Sequence, residues 1–175
     1  MSEQSRIIYE EVQYSRQWWL WVVIIGSGLL PAGIVAWMII QQLIFARPIG
    51  ENPMSDQALM TMGALVFAFD AALIALFLAA NLRTEVRIDG LYIRYFPFHL
   101  SFRKVPLENA AKVEALTYNP IQEYGGWGIR FRRKGRAYNP TGNRGVRLEY
   151  MDGRHILLGS QRPDELKEAI ESLRQ

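Results

Sequence analysis

Cysteine is absent from the chain of 175 residues, which excludes disulfide staples, thiolate metal sites and a Cys nucleophile, and fits a reducing cytosolic face. Histidine occurs only twice, as His99 and His155, too sparse a supply for a His-based metal centre. No charged residue stands between Arg16 and Arg47, and Asp70 alone stands between Asp56 and Arg83. No catalytic constellation emerges either. The nearest group is His155 with Asp152 and Ser160 in DGRHILLGS, a turn followed by a strand that sends His155 and Ser160 to opposite faces. YNPTGNRG, Tyr138 to Gly145, lacks both the glycine–lysine order and the following helix of a phosphate loop. The expectation is a non-enzymatic protein without metal or cofactor.

The charge-free stretches are what the chain has instead. WWLWVVIIGSGLLPAGIVAWMII, Trp18 to Ile40, is roughly 35 Å long as a helix, enough for a hydrocarbon core of roughly 30 Å. Acidic Glu3, Glu10 and Glu11 precede it, unlike the basic leader of a signal peptide. ALMTMGALVFAFDAALIALFLAANL, Ala58 to Leu82, reads as the return span. The predicted organisation is an N-terminal segment over 1–17, a transmembrane hairpin over 18–82 and a cytoplasmic domain over 83–175. Arg6 and Arg16 flank the first span and Arg83, Arg87 and Arg94 follow the second, while the connecting loop holds only Arg47. Because basic flanks stay inside, both termini are expected in the cytoplasm, in a multi-pass protein of the cell membrane.

Two features interrupt the apolar spans. Asp70 falls near the bilayer centre, where an aspartate costs roughly 2.5 to 3.5 kcal/mol. Pro31 falls at matching depth and frees the carbonyl of Ser27. One reading ties the hairpin together by a bond from Asp70 to Ser27 or its carbonyl. In the other, Ala64, Ala68, Ala71, Ala75 and Ala79 form the stripe that packs on Gly28, Ala32 and Ala36, and Asp70 turns toward a second copy or another membrane protein.

From Arg83 the period changes to two. TEVRID and LYIRYFPF meet at Asp89-Gly90, a tight-hairpin signal. SFRKVPL, AAKVEALTY, WGIRFRR, RAYN, GVRLEY and RHILLG continue the series. RPDELKEAIESLRQ then carries Pro163, Asp164 and Glu165 at a helix start and an apolar stripe of Leu166, Ala169, Ile170 and Leu173. The expected fold is therefore an α+β membrane protein: a two-helix hairpin, then a β-sandwich or barrel of about seven strands closed by a C-terminal helix.

This order of elements resembles the bacterial membrane-anchored proteins with a pleckstrin-homology-like (PH-like) domain. The resemblance covers Arg83 to Arg174 for the domain, and the two spans fit the same layout. It implies an adaptor or scaffold at the inner face of a bacterial membrane. The minimal Asp89-Gly90 turn stands where phosphoinositide-binding PH domains carry a longer basic loop, so no lipid-binding residue transfers.

GIRFRRKGRAYNPTGNRG, Gly128 to Gly145, holds six Lys and Arg residues and no acid. With Arg147 it yields a candidate basic patch of Arg130, Arg132, Arg133, Lys134, Arg136, Arg144 and Arg147. A solvated strand face, an anionic leaflet and an acidic protein partner are its three readings. Nucleic acid is not expected, since the aromatic ladder of a single-strand binder is missing. In YNPIQEYGGWG, Tyr118 to Gly128, Tyr124 and Trp127 are candidate interface anchors, with Trp127 as a core plug the alternative. The expected partners are other membrane proteins, a second copy of the chain, or anionic lipid head groups.

Overall fold

The computed structural model describes residues 6–15, 18–133 and 135–174. It divides into a helical unit, Arg16–Leu78, and a second unit that joins the N-terminal strand to everything from Ala79 onward.

In the helical unit, α1 (Trp18–Ile39) runs through Pro31 into a π-helical turn, Ile40–Ile44. The second helix, α2, spans Asp56–Ala79. Both are long and apolar enough to cross a membrane. Their apolar side chains are largely uncovered, as at Leu30, Leu65 and Phe69; helices apolar all round need lipid or protein about them. At the connecting turn, Gln42 Nε2 donates to the Met54 carbonyl at 2.7 Å and to Asp56 Oδ1 at 2.6 Å.

The second unit holds two sheets. One runs in the order β1-β2-β3-β4, from β1 (Ile7–Tyr14), β2 (Asn81–Arg87), β3 (Gly90–Phe96) and β4 (Arg103–Val105). The other runs β5-β8-β9-β7-β6, from β5 (Ala110–Thr117), β6 (Gly128–Arg132), β7 (Gly135–Asn139), β8 (Arg144–Tyr150) and β9 (His155–Gly159). They share one core of Leu82, Val86, Leu91, Ile93, Val146, Leu148 and Leu158, and form two separate sheets rather than a closed barrel. The α4 helix (Pro163–Ser172) buries Leu166 and Ile170 completely in that core, on the predicted stripe.

Three features depart from the expectation. First, eight described strands follow Ala80 where about seven were expected, and one more precedes the spans. The segment 1–17, expected to stand apart from the domain, contributes β1, which pairs antiparallel with β2 from Ile7↔Arg87 to Tyr14↔Asn81. Second, β7 and β9 pair in parallel, a pairing that no hairpin can make. Third, the loop after Tyr118 contains a helix, α3 (Pro120–Tyr124). Asn119 caps it by accepting from Gln122 N at 3.1 Å, and Gly125 ends it at φ 76°, a left-handed position that favours glycine.

Polar groups hold β1 in place. Glu11 is buried and accepts from the Tyr9 hydroxyl at 2.6 Å, from Ser160 Oγ at 2.6 Å and from Gln161 N at 2.7 Å. Gln13 Nε2 donates to the Gly159 carbonyl at 2.6 Å, and Arg162 Nη2 to that of Glu10 at 2.8 Å. Strand β1 is thus fastened to the chain just before α4. Burial, and then the bond to Glu11, push the Tyr9 hydroxyl's pKa well up, so it stays a donor.

Two outcomes follow. Replacing residues 16–79 by a short Gly/Ser turn between Ser15 and Ala80 should yield a soluble, cooperatively melting domain. Residues 83–175 alone, lacking β1, should melt lower or aggregate; equal thermal midpoints would show that β1 is dispensable. In the linked domain, Glu11→Ala removes the acceptor of two buried hydroxyls and of the part-buried Gln161 N–H and should reduce the unfolding free energy by about 2–3 kcal/mol. Glu11→Gln should fall between, as measured by urea denaturation.

Candidate functional site

Asp70 lies in the seam between the two helices, not on a free face. A Cβ built on Gly28 would stand 3.1 Å from Asp70 Oδ1, so glycine makes the room the carboxyl occupies. One turn pair away, Gly63 receives Ile39 and Val35 of α1. The α2 face toward α1 is therefore Leu59, Gly63 and Asp70. Ala64, Ala68, Ala71, Ala75 and Ala79 are exposed, which reverses the expected packing of that stripe on Gly28, Ala32 and Ala36. The anticipated tie to Ser27 does not form. Ser27 Oγ donates to the Ile24 carbonyl of its own helix at 3.1 Å, and both Ser27 and Pro31 are exposed. Spacing along α2 identified the alanine stripe but not which face meets α1, which only the partner helix decides.

The basic stretch does not form one patch. Arg144 Nη2 meets Asp164 at 3.4 Å. Arg147 is half-buried, with Glu149 at 3.1 Å and Glu114 at 3.4 Å. These two are structural ion pairs. The guanidinium groups of Arg130 and Arg132 fold toward the loop at Gly126 and Gly125. Lys134 lies outside the described residues. What remains is an open groove of about 620 Å³, lined by Arg132, Arg133 and Arg136 with Arg154, Phe131 and Met151. Asp152 there is answered by Arg154 Nε at 2.6 Å. His155, also in the groove, has its pKa lowered by burial and then by Arg147, so it is neutral near pH 7. Phe131 is 68% exposed, with Arg136 5.5 Å from its ring centroid. As β6 is an edge strand, its end outruns the core.

Of the two aromatic candidates, Tyr124 is buried and packs edge-on against Tyr118 at 5.8 Å. It belongs to a small second core with Ala137 and Leu157 and is no surface anchor. Trp127 is half-buried, its indole N–H donating to the Gly142 carbonyl at 2.7 Å. It borders two surface hollows rather than plugging the core.

Sequence reasoning missed the link between β3 and β4, residues 97–102. Its middle residue, His99, is buried, donates its backbone N–H to the Tyr95 carbonyl at 2.7 Å and sets its ring edge-on to Tyr138 at 5.8 Å. Burial and then Arg103 lower its pKa, so the ring packs as neutral imidazole. At the far end, Phe102 lies under three guanidinium groups, of Arg87, Arg94 and Arg83, at 4.9, 5.2 and 5.7 Å. Buried Glu85 bridges Arg87 at 2.6 Å and Arg83 at 2.8 Å. On either side of His99, Phe98 and Leu100 project, 70% and 80% exposed. The available signal was FHLSF itself, three large apolar residues at the junction of two strand candidates.

Among the described residues no group of three or more His, Asp or Glu is placed to hold a metal ion. Ser160 is committed to Glu11. Comparison with curated proteins and with solved structures gives no match. The model of a family of unknown function (DUF6141) matches residues 2–174, and the chain belongs to that family.

Proposed function

We propose that the chain is a non-enzymatic, membrane-anchored interaction or scaffold protein of a bacterial inner membrane, with a PH-like domain at the cytoplasmic face. One observation carries the anchoring: the chain leaves the first sheet at Tyr14 and re-enters it at Asn81, its partner in register. Both ends of the hairpin are thereby fastened to one sheet, so any membrane it crosses must be crossed an even number of times. Two suitable helices fill that requirement. The basic flanks Arg6, Arg83, Arg87 and Arg94, against Arg47 alone in the turn, favour an orientation with the sheets inside. The PH-like assignment is supported by two facing sheets with a C-terminal helix in their shared core; the parallel β7–β9 pair is its departure from that pattern.

The groove at Phe131, Arg132, Arg133, Arg136 and Met151 is the docking face of this reading. Exposed apolar groups ringed by unneutralised arginines suit an acidic protein segment. A second reading, an accessory subunit of a larger membrane complex, is favoured by the uncovered alanine stripe of α2, since small residues let another helix approach closely.

Reporters fused after Gln175 and before Ser5 should both report cytoplasm, and one inserted near Glu51 the outside; a cytoplasmic Glu51 sinks the hairpin. Mild-detergent co-purification separates the two partner readings. If the groove docks the partner, Arg132→Glu with Arg133→Glu should reduce recovery at least tenfold. If the helix does, Ala68→Trp with Ala75→Trp should, while the groove variant behaves as wild type. Asp70→Leu, lying in the seam, should leave recovery unchanged in either case.

A further inference from the structure

The loop over 97–102 occupies a particular end of its sheet. Strand β3 reaches it at Phe96, the register partner of Asn81, which in turn pairs with Tyr14. It therefore emerges at the end where the chain passes out to residue 16 and returns at Ala80. Tyr95, the residue before Phe96, lies within hydrogen-bonding reach of Ser15 and near Arg130. The opposite end carries the Asp89-Gly90 turn.

Exposure at Phe98 and Leu100 is built in. His99 is anchored toward the second sheet and Phe102 beneath the arginines of the first, so the side chains flanking His99 are held outward by their neighbours. Beside them lies a hollow of about 500 Å³ whose lining includes Phe98, Trp127, Phe131, Arg103 and Arg130, and no acid. Large apolar groups flanked by arginine and tryptophan match the boundary between head groups and acyl chains. A protein groove would need a complementary partner, whereas a bilayer is already supplied at this end by covalent connection.

We propose that Phe98 and Leu100 insert into the cytoplasmic leaflet of the membrane that the hairpin crosses, with Arg103 and Arg130 engaging anionic lipid phosphates. This rests on the membrane-spanning reading above. The loop is a third attachment point, one that fixes the orientation of the domain and points the Arg132–Arg133 groove away from the bilayer. Met151, at that groove, donates its backbone N–H to the carbonyl of Asn109, in the link that also borders the Asp89-Gly90 end.

Because the chain has no cysteine, single-site labelling needs no background removal. Full-length protein carrying Leu100→Cys, Phe98→Cys, Met151→Cys or Leu65→Cys, each with an environment-sensitive fluorophore, is reconstituted in vesicles of phosphatidylethanolamine and phosphatidylglycerol. Labels at 98 and 100 should be quenched by spin-labelled lipid and shielded from aqueous iodide, and the label at 151 the reverse. In the Leu100→Cys background, Arg103→Glu with Arg130→Glu should reduce lipid quenching at least twofold in these vesicles, with a smaller change in phosphatidylcholine. Iodide quenching at 100 equal to that at 151 overturns the proposal. So does shielding from both quenchers, which would indicate a protein or second-copy contact. The label at 65, within α2, separates the two levels. If it is quenched by lipid while 98 and 100 are not, only the loop insertion fails; if it too is not, the membrane-spanning reading fails and this proposal with it.

Discussion

The pairing of β1 with β2 is the constraint on which the rest depends. A strand preceding two long apolar helices and a strand following them lie in register from Ile7↔Arg87 to Tyr14↔Asn81. Backbone hydrogen bonding across that pair closes a loop that contains the whole hairpin. The entropy of closing so long a loop rises only slowly with its length, and two helices already ordered reduce it further. The closure is secured by the buried Glu11 cluster, which ties β1 to the segment before α4 and so to the C-terminal helix that completes the core.

Charge is distributed according to the same architecture. The arginines of β2 and β3 are engaged internally, by Glu10, Glu85 and the Phe102 ring. Arg144 and Arg147 are matched with acids on neighbouring elements. Arg103 and Arg130 line one hollow, and Arg132, Arg133 and Arg136 line the groove. A run of basic residues that is contiguous in sequence therefore serves separate surfaces, because β6 and β7 carry successive residues along the edge of the sheet and β8 lies beyond β9.

Inside the helical unit, Gly28 and Gly63 bring α1 and α2 close enough for Asp70 to sit in the seam. A carboxyl there is shielded from lipid by the opposing backbone, which lowers what a lone aspartate would otherwise cost. The alanine stripe, relieved of that duty, is left for contacts outside the chain.

Local chemistry was enough to determine the elements themselves. Long apolar runs marked both helices, though the second, read to Leu82, took in Asn81 and Leu82, which begin β2; alternation and the Asp-Gly turn marked the strands of the domain, and Pro163 with its acidic first turn marked α4. Tertiary structure alone decided the membership of β1, whose inward residues include Glu11 and Gln13 while Ile8 and Val12 face out; a strand with an inverted polar pattern is recognisable only once its buried partners, Ser160 and Gly159, are known. It also decided the parallel pairing of β7 with β9 and the face by which α2 meets α1. Each of these depends on a neighbour remote in sequence, and hydrophobic periodicity records which residues leave water, not which surface receives them.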